Sequence, residues 1–147
     1  MTEQQIEYDP RVAERVLDAM QAASDAMDPA VPVAFEELTA DPGEMPRLML
    51  KPTSSDAVER RYVSGEQLRA FPFSATLRVP ADCEQDRLDA FAWLHRLASE
   101  YEAAPLEIPG ASVYINRQRT IPTCLGRTER FEDWQVTFEL KYKTRAR

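Results

Sequence analysis

Two long segments of the chain carry apolar side chains at helical spacing. Across residues 9–27 the apolar positions recur every three or four residues, and the segment ends before Pro29 because a residue that precedes proline avoids the helical backbone. Across residues 83–103 the same spacing follows Asp82 and Gln85, which are placed as in a capping box. The pattern predicts two amphipathic helices, each of which must pack on another element.

Alternating apolar and polar residues mark the strands. Residues 71–79 and 134–143 alternate with a period of two, and shorter extended runs occupy residues 31–39, 47–51 and 112–116. One apolar and one polar face are typical of an antiparallel or mixed sheet that is covered on one side. We therefore expect an α+β fold, in which two main helices pack on one face of a mixed or antiparallel sheet of about four to five strands.

Three connections separate these elements. Residues 41–43 (Asp-Pro-Gly) form a turn signal, so the extended runs on either side are a candidate hairpin. Residues 53–67 are polar and without a clear period, which predicts a long connection, with a short strand near residues 61–63 at most, that a partner could order. Residues 117–133 predict a basic, irregular segment that is broken at Gly126.

The length of 147 residues is that of one domain. We expect a single domain over residues 1–147, with flexible segments at residues 1–8 and 144–147. The composition, 44% hydrophobic and 29% charged, is that of an ordinary soluble domain. Because no stretch approaches about 18 consecutive apolar residues, we expect no membrane span.

Charge is distributed unevenly along the chain. Residues 1–59 carry 13 acidic and 4 basic side chains, whereas residues 111–147 carry 4 acidic and 8 basic ones. The net charge of −7 argues against non-specific binding to DNA, and we expect no sequence-specific binding to nucleic acid. Opposite charges at the two ends could steer copies of the chain head to tail, or they serve only to solvate the surface.

The residues that support catalysis or metal binding are sparse. His95 is the only histidine, and Cys83 and Cys124 are the only cysteines. Cys83 and His95 lie about 18 Å apart along one helix, and three such ligands fall short of the usual zinc patterns. Carboxylates such as Glu132 and Asp133 suit solvated or loop positions, although a two-carboxylate site stays open as an alternative. We expect a protein that is not an enzyme, with no catalytic, cofactor-binding or metal-binding residues.

Candidate interface residues lie on the second helix and in the basic segment. Trp93 and Leu97 lie at the margin of the predicted buried stripe, so they either form an exposed anchor or complete the chain's own core. Four arginines between residues 117 and 130 either meet the acidic half of a neighbour or DNA phosphates, or form a solvated loop. The stripe consists of Leu88, Phe91, Leu94, Ala98 and Tyr101, and the arginines are Arg117, Arg119, Arg127 and Arg130.

Several motifs follow one another in a characteristic order. A leading helix is followed by a Phe-x-Phe-x-Ala-x-Leu-Arg-Val strand (71–79), which runs into a helix containing Ala-Phe-Ala-Trp-Leu (90–94). A proline-containing basic loop (121–130) precedes a Trp-x-Val-x-Phe-x-Leu-x-Tyr strand (134–142). Over about residues 9–143 this order resembles the tail terminator proteins of long-tailed bacteriophages, also described as minor capsid or tail-completion proteins.

The resemblance implies a non-enzymatic virion protein without a cofactor. Such a subunit assembles into a ring, most often a hexamer, that ends the tail tube and helps join it to the head. The implied partners are further copies of the chain, the tail tube protein, and the head connector or completion proteins. The implied location is the phage neck and tail, after synthesis in the bacterial host cytoplasm. A head–tail joining or head-completion protein of the same neck, or a small bacterial protein-binding adaptor, remains as an alternative.

Overall fold

The computed structural model describes residues 6–7, 12–38, 41–53, 58–80 and 84–146. Within these ranges the chain forms two helices, nine strands and a short 3-10 turn at Pro42–Glu44, so the fold is α+β as the sequence predicts. In chain order the elements are β1 (Ile6–Glu7), α1 (Val12–Asp25), β2 (Val33–Phe35), β3 (Arg47–Pro52), β4 (Val58–Arg61), β5 (Gln67–Ala70), β6 (Phe73–Pro80), α2 (Glu84–Ala103), β7 (Ala111–Gln118), β8 (Thr123–Arg127) and β9 (Phe131–Ala146).

Strand β9 forms the centre of the sheet. Along one side it pairs antiparallel with β6 and then β5, in a single unbroken register. Along the other side it pairs antiparallel with β8 and β7, and β1 pairs with its last residues. Beyond β6 and β5 lie β3 and β4, and β2 adds to β3 in parallel. The sheet is therefore mixed, with most of its pairs antiparallel.

The expected count of four to five strands is wrong, since nine are found in the described residues. The number is higher because, on each side of β9, two shorter strands follow one another where one long strand would otherwise run. Between β5 and β6 stands Pro72, which offers no amide to a ladder, although the register with β9 continues across it. Between β7 and β8 the row is broken at residues 119–122, and each of the two strands carries a bulge.

Both helices pack on one face of this sheet. Phe73 of β6 stacks on Phe138 of β9 with ring centroids 5.0 Å apart, and Tyr101 of α2 meets both rings edge-on. The residues of β9 alternate as predicted, so that every second side chain enters the core. The other buried strand residues of this face are Leu48, Leu50, Ala75, Leu77, Val136, Leu140 and Tyr142.

Helix α1 is held at its end by a side chain. Its buried positions follow the predicted spacing, at Val12, Val16, Met20 and Ala23. The hydroxyl of Ser24 donates to the carbonyl of Val31 at 2.5 Å and accepts from the amide of Val31 at 2.9 Å, which fixes the chain that leads into β2. The predicted start of this helix at residues 9–11 lies outside the described residues.

Three predicted connections have more structure than expected. The runs on either side of the turn at 41–43 do not form a hairpin, because β2 and β3 pair in parallel and β3 turns its other edge to β6. In the segment 53–67, β4 and β5 form a hairpin whose turn places Gly65 at a φ of 92°, a conformation that glycine adopts readily. In the segment 117–133, residues 123–127 form β8 and pair with β9, so only part of the segment is irregular.

Of the segment 144–147, for which we expect flexibility, residues 144–146 lie at the end of β9. Thr144 is fully buried, accepts a hydrogen bond from the amide of Gln67 at 3.2 Å and donates to the carbonyl of Gln67 at 3.3 Å. Residues 145 and 146 pair with Glu7 and Ile6, so part of the expected flexible segment at 1–8 is also in the sheet. Arg147 and residues 1–5 and 8 lie outside the described residues.

Candidate assembly surfaces

The six candidate interface residues fall at different places on the molecule. Trp93 is half-buried on the flank of α2 that faces the end of α1, and its indole Nε1–H donates to the carbonyl of Pro29 at 2.8 Å. It lines a mostly apolar cavity of about 250 Å³ together with Val31, Leu77 and Val79. The Trp93 indole is thus anchored within its own chain on one side and faces this cavity on the other.

Leu97 is fully buried in the core, so the prediction that it forms part of an exposed interface is wrong. The error arises from the rotation of α2 about its axis. The buried stripe is centred on Ala90, Leu94, Leu97, Ala98 and Tyr101 rather than on the predicted set. The same rotation moves Leu88 and Phe91, which were expected in the core, to the exposed flank.

Arg117 and Arg119 line a polar groove of about 840 Å³ on the sheet face that the helices leave uncovered. Arg117 forms an ion pair with Glu139 at 3.3 Å, and Lys141 contacts both Glu139, at 3.4 Å, and Glu59, at 3.0 Å. Burial acts to raise the pKa of Glu139, but the hydrogen bonds from Lys141 and Arg117 outweigh it and lower that pKa. The hydrogen bond to Glu59 raises the pKa of Lys141. The groove therefore holds charges of both signs that largely neutralise one another.

Arg127 and Arg130 lie where β8 ends and the chain turns into β9, away from Arg117 and Arg119 at the end of β7. The Nε atom of Arg127 lies 3.4 Å from Oε1 of Glu132, which also accepts from Nε of Arg87 on α2 at 3.0 Å. Arg130 is exposed in the turn between the strands, where its amide donates to the hydroxyl of Thr128. The structure thus brings the four arginines together in two pairs, and it places both pairs apart from Trp93.

Three large apolar side chains are exposed on α2 and on strand β8, and we call them together the edge patch. It consists of Leu88, which is 58% exposed, Leu125, which is 57% exposed, and Phe91. The ring of Phe91 stacks on His95 with centroids 6.2 Å apart and meets Trp134 edge-on at 6.3 Å, so it is held in place. Sequence reasoning missed this patch, and its one signal was the spacing of Leu88 and Phe91 three residues apart on the helix.

Side-chain acceptors cover a backbone amide at each long edge of the sheet. On β2, the amide of Val33 donates to Oε1 of Gln21 on α1 at 2.9 Å. On β7, the amide of Gln118 donates to Oε1 of Glu102 on α2. Covered edge amides discourage unspecific strand addition, which is a general hazard of open sheet edges.

Glu132 and Asp133, which the sequence offers as a candidate two-carboxylate site, both form ion pairs with arginines. Asp133 forms two hydrogen bonds with Arg78, at 2.8 and 2.9 Å, while Glu132 accepts a hydrogen bond from Arg87 and forms an ion pair with Arg127. In the part of the chain that the structure describes, no group of three or more His, Cys, Asp or Glu side chains is placed to hold a metal ion. Neither described helix is long and apolar enough to cross a membrane. Cys83 lies outside the described residues.

Fold and surfaces together define a small α+β protein with one uncovered polar sheet face and exposed apolar side chains on α2 and β8. No protein-family model and no curated protein matches the chain. Solved structures do match it. One of them is 17% identical, covers 91% of this chain and 93% of its own length, and has a TM-score of 0.53. At this identity the similarity shows a common fold and nothing about activity.

Proposed function

We propose that the chain is a non-enzymatic structural protein of the phage neck and tail, a tail terminator whose copies form a ring. The ring closes the tail tube and offers the surface to which the head connector binds. The observation that carries the proposal is the exposure of the large apolar side chains Leu88, Phe91 and Leu125, which contact with a further copy of the chain would bury.

The order of the elements supports the choice of this class of protein. The resemblance rests on a leading helix, a strand that runs directly into a long helix, and a long alternating final strand. These correspond to α1, to β6 followed by α2, and to β9. The use of Glu132 and Asp133 in ion pairs agrees with a structural role for these carboxylates.

The mass of the protein in solution tests this proposal. Light scattering behind size exclusion, over a wide range of concentration, is expected to give a discrete species of about six times the 16.8 kDa chain. Electron microscopy of that species is expected to show closed rings. Purified tail tubes are then added, and rings are expected at one end of each tube.

Three other outcomes would contradict the tail terminator proposal. Rings or monomers that bind isolated connectors but never tubes would favour a head-completion protein. A tight complex with one host protein, and with neither phage component, would favour an adaptor. A monomer that binds neither tubes nor connectors would overturn the proposal.

A further inference from the structure

We infer that the cavity beside Trp93 is a binding site for a small organic cation, in which an ammonium group is carried on an aromatic body. The cavity has a volume of about 250 Å³ and lies where the segments after α1 and before β3 meet β6 and the first half of α2. The inference goes beyond the proposed function and does not depend on it, because the cavity is formed within one chain.

Most of the cavity wall is apolar and stiff. Three of the lining residues are Pro29, Pro46 and Pro80, whose rings restrict the backbone, and Leu77 and Val79 of β6 add branched side chains. Such a wall is formed before a ligand arrives, so little order remains to be imposed when one binds. A mostly apolar lining with a few placed polar groups is typical of sites for small molecules.

The indole of Trp93 is fixed at one side of the cavity. Its Nε1–H donates to the carbonyl of Pro29 at 2.8 Å, which ties α2 to the segment after α1 and holds the ring in place. An indole attracts aromatic groups, and its face attracts cations more strongly than the face of any other side chain. The ring therefore favours a ligand that has both an aromatic part and a positive charge.

Of the described residues that line the cavity, the two charged ones, Asp86 and Asp89, are both acidic. Asp86, Asp89 and Trp93 follow one another at spacings of three and four residues, so they share one flank of α2. Asp89 is exposed at the rim, where its Oδ1 accepts from Nε2 of Gln85 at 2.9 Å and is held in position. Carboxylates beside an apolar wall favour an ammonium group over a neutral or anionic one.

The arginines that adjoin the cavity in sequence bind acceptors elsewhere. Arg78 follows Leu77 in β6, so it points to the opposite face of the sheet, where it binds Asp133. Two others also donate to oxygens outside the cavity, Arg47 to the carbonyl of Glu44 and Arg87 to Glu132. A cationic partner for Asp89 therefore comes from a ligand rather than from these three side chains.

The volume of the cavity limits the size of the ligand. An apolar cavity of roughly 150 Å³ is large enough to hold one benzene molecule. The larger volume of about 250 Å³ accommodates an aromatic ring together with a short chain. Such a chain carries the ammonium group from the apolar wall to the carboxylate at the rim, so an arylalkylammonium ion matches the site.

An NMR titration tests the site, because the indole of Trp93 is a probe within it. Phenethylammonium is added to isotope-labelled protein, and the indole N–H signals of Trp93 and Trp134 are followed. The Trp93 signal is expected to shift and to saturate with a dissociation constant of about 1 mM or tighter. The signal of Trp134, which does not line the cavity, is expected to stay in place. An unmoved Trp93 signal, or equal shifts of both signals, would overturn the inference.

Ligands of similar shape test whether the site recognises charge. Phenylethanol has the same ring and chain without the charge, and phenylpropionate carries a carboxylate instead. Phenylethanol is expected to bind about tenfold more weakly than phenethylammonium, and phenylpropionate is expected not to saturate the Trp93 signal. Equal binding of all three would show that the cavity accepts any apolar group, which contradicts a cation site.

A pair of variants tests the carboxylate at the rim. Asp89→Asn is expected to weaken the binding of phenethylammonium by about fivefold, because it removes a charge that faces the ligand. Glu84→Gln is the matched control, since Glu84 is exposed on the same helix and does not line the cavity. Its dissociation constant is expected to stay within about twofold of wild type. Equal losses in the two variants would show attraction by the net charge of the protein, and the site would be wrong. Thermal melts confirm that both variants are folded.

A lysine side chain of a partner protein could bring the same ammonium group to the cavity. The amide of N-acetyl-lysine is the probe for this source. It is expected to bind about tenfold more weakly than phenethylammonium, because it has no ring to pack against Trp93. Binding as tight as that of phenethylammonium, or tighter, would overturn the assignment to a small aromatic ligand.

Discussion

The Nε atom of Arg87 lies 3.0 Å from Oε1 of Glu132, and the Glu132 side chain is only 1% exposed. The same oxygen lies 3.4 Å from Nε of Arg127. One buried carboxylate thereby connects α2, β8 and β9 beside the edge patch. Because burying a charge is unfavourable unless it is paired, this arrangement depends on both arginines remaining in place.

Replacing this carboxylate is expected to destabilise the protein. In Glu132→Gln the free energy of unfolding should fall by about 2 kcal/mol, since the hydrogen bond from Arg87 and the ion pair with Arg127 lose their charged acceptor. The loss stays moderate because both arginines are partly exposed and can turn to water. Urea denaturation measures the change. Glu129→Gln, on the exposed turn nearby, should stay within about 0.5 kcal/mol of wild type. Equal stability of the two variants would show that the buried pairs contribute nothing.

Removing the carboxylate that covers the β7 edge is expected to promote unspecific association. In Glu102→Ala the amide of Gln118 loses its acceptor, so its hydrogen exchange should accelerate and the edge should become open to strand addition. Glu100→Ala is the matched control, because Glu100 is exposed on the same helix two residues away. Exchange measured by NMR and aggregation followed by light scattering report the two effects. Unchanged exchange at Gln118 would contradict the role assigned to Glu102.

The buried phenol of Tyr101 is expected to limit stability at alkaline pH. Burial raises the pKa of Tyr101 above its ordinary value, so above about pH 10 the unfolded chain loses this proton while the folded chain keeps it. The unfolded state then binds fewer protons, and the free energy of unfolding falls as pH rises. Tyr101→Phe should lose less stability between pH 9 and pH 11 than wild type, each measured against its own value at pH 7. Tyr114→Phe, which changes an exposed ring, should follow the wild-type curve.

The long strands and both helices could be predicted from the sequence because their patterns are local. Phe73 to Val79 and Trp134 to Tyr142 alternate strictly, and each lies in a strand of the structure. Pairing partners are not local, so the parallel pairing of Val33 with Leu48 was mistaken for a hairpin. The spacing of side chains shows that α2 is amphipathic, but not how far the helix is rotated.

The candidate site was harder to predict than the fold. Strand β8 was missed because its bulge between Cys124 and Gly126 breaks the alternation that reveals a strand. Leu97 was left open between an interface and the core, and Leu88 was placed in the buried stripe, whereas a rotation of α2 by a fraction of a turn buries Leu97 and exposes Leu88. The arginines were found by their charge, but only the folded chain shows that Arg127 pairs with a buried carboxylate while Arg130 stays exposed.

The central position of β9 has a consequence for the order of events during synthesis. β9 is the last of the described strands along the chain, yet five of the other eight pair with it directly. On a growing chain β6, β7 and β8 are therefore made before the strand that holds them side by side, and such long-range pairing is slow to form. Until β9 is made, β7 and β8 have no strand to pair with, because β9 is the strand with which each of them pairs. A chain that stops before β9 therefore leaves the exposed side chains of β8 without the sheet that positions them.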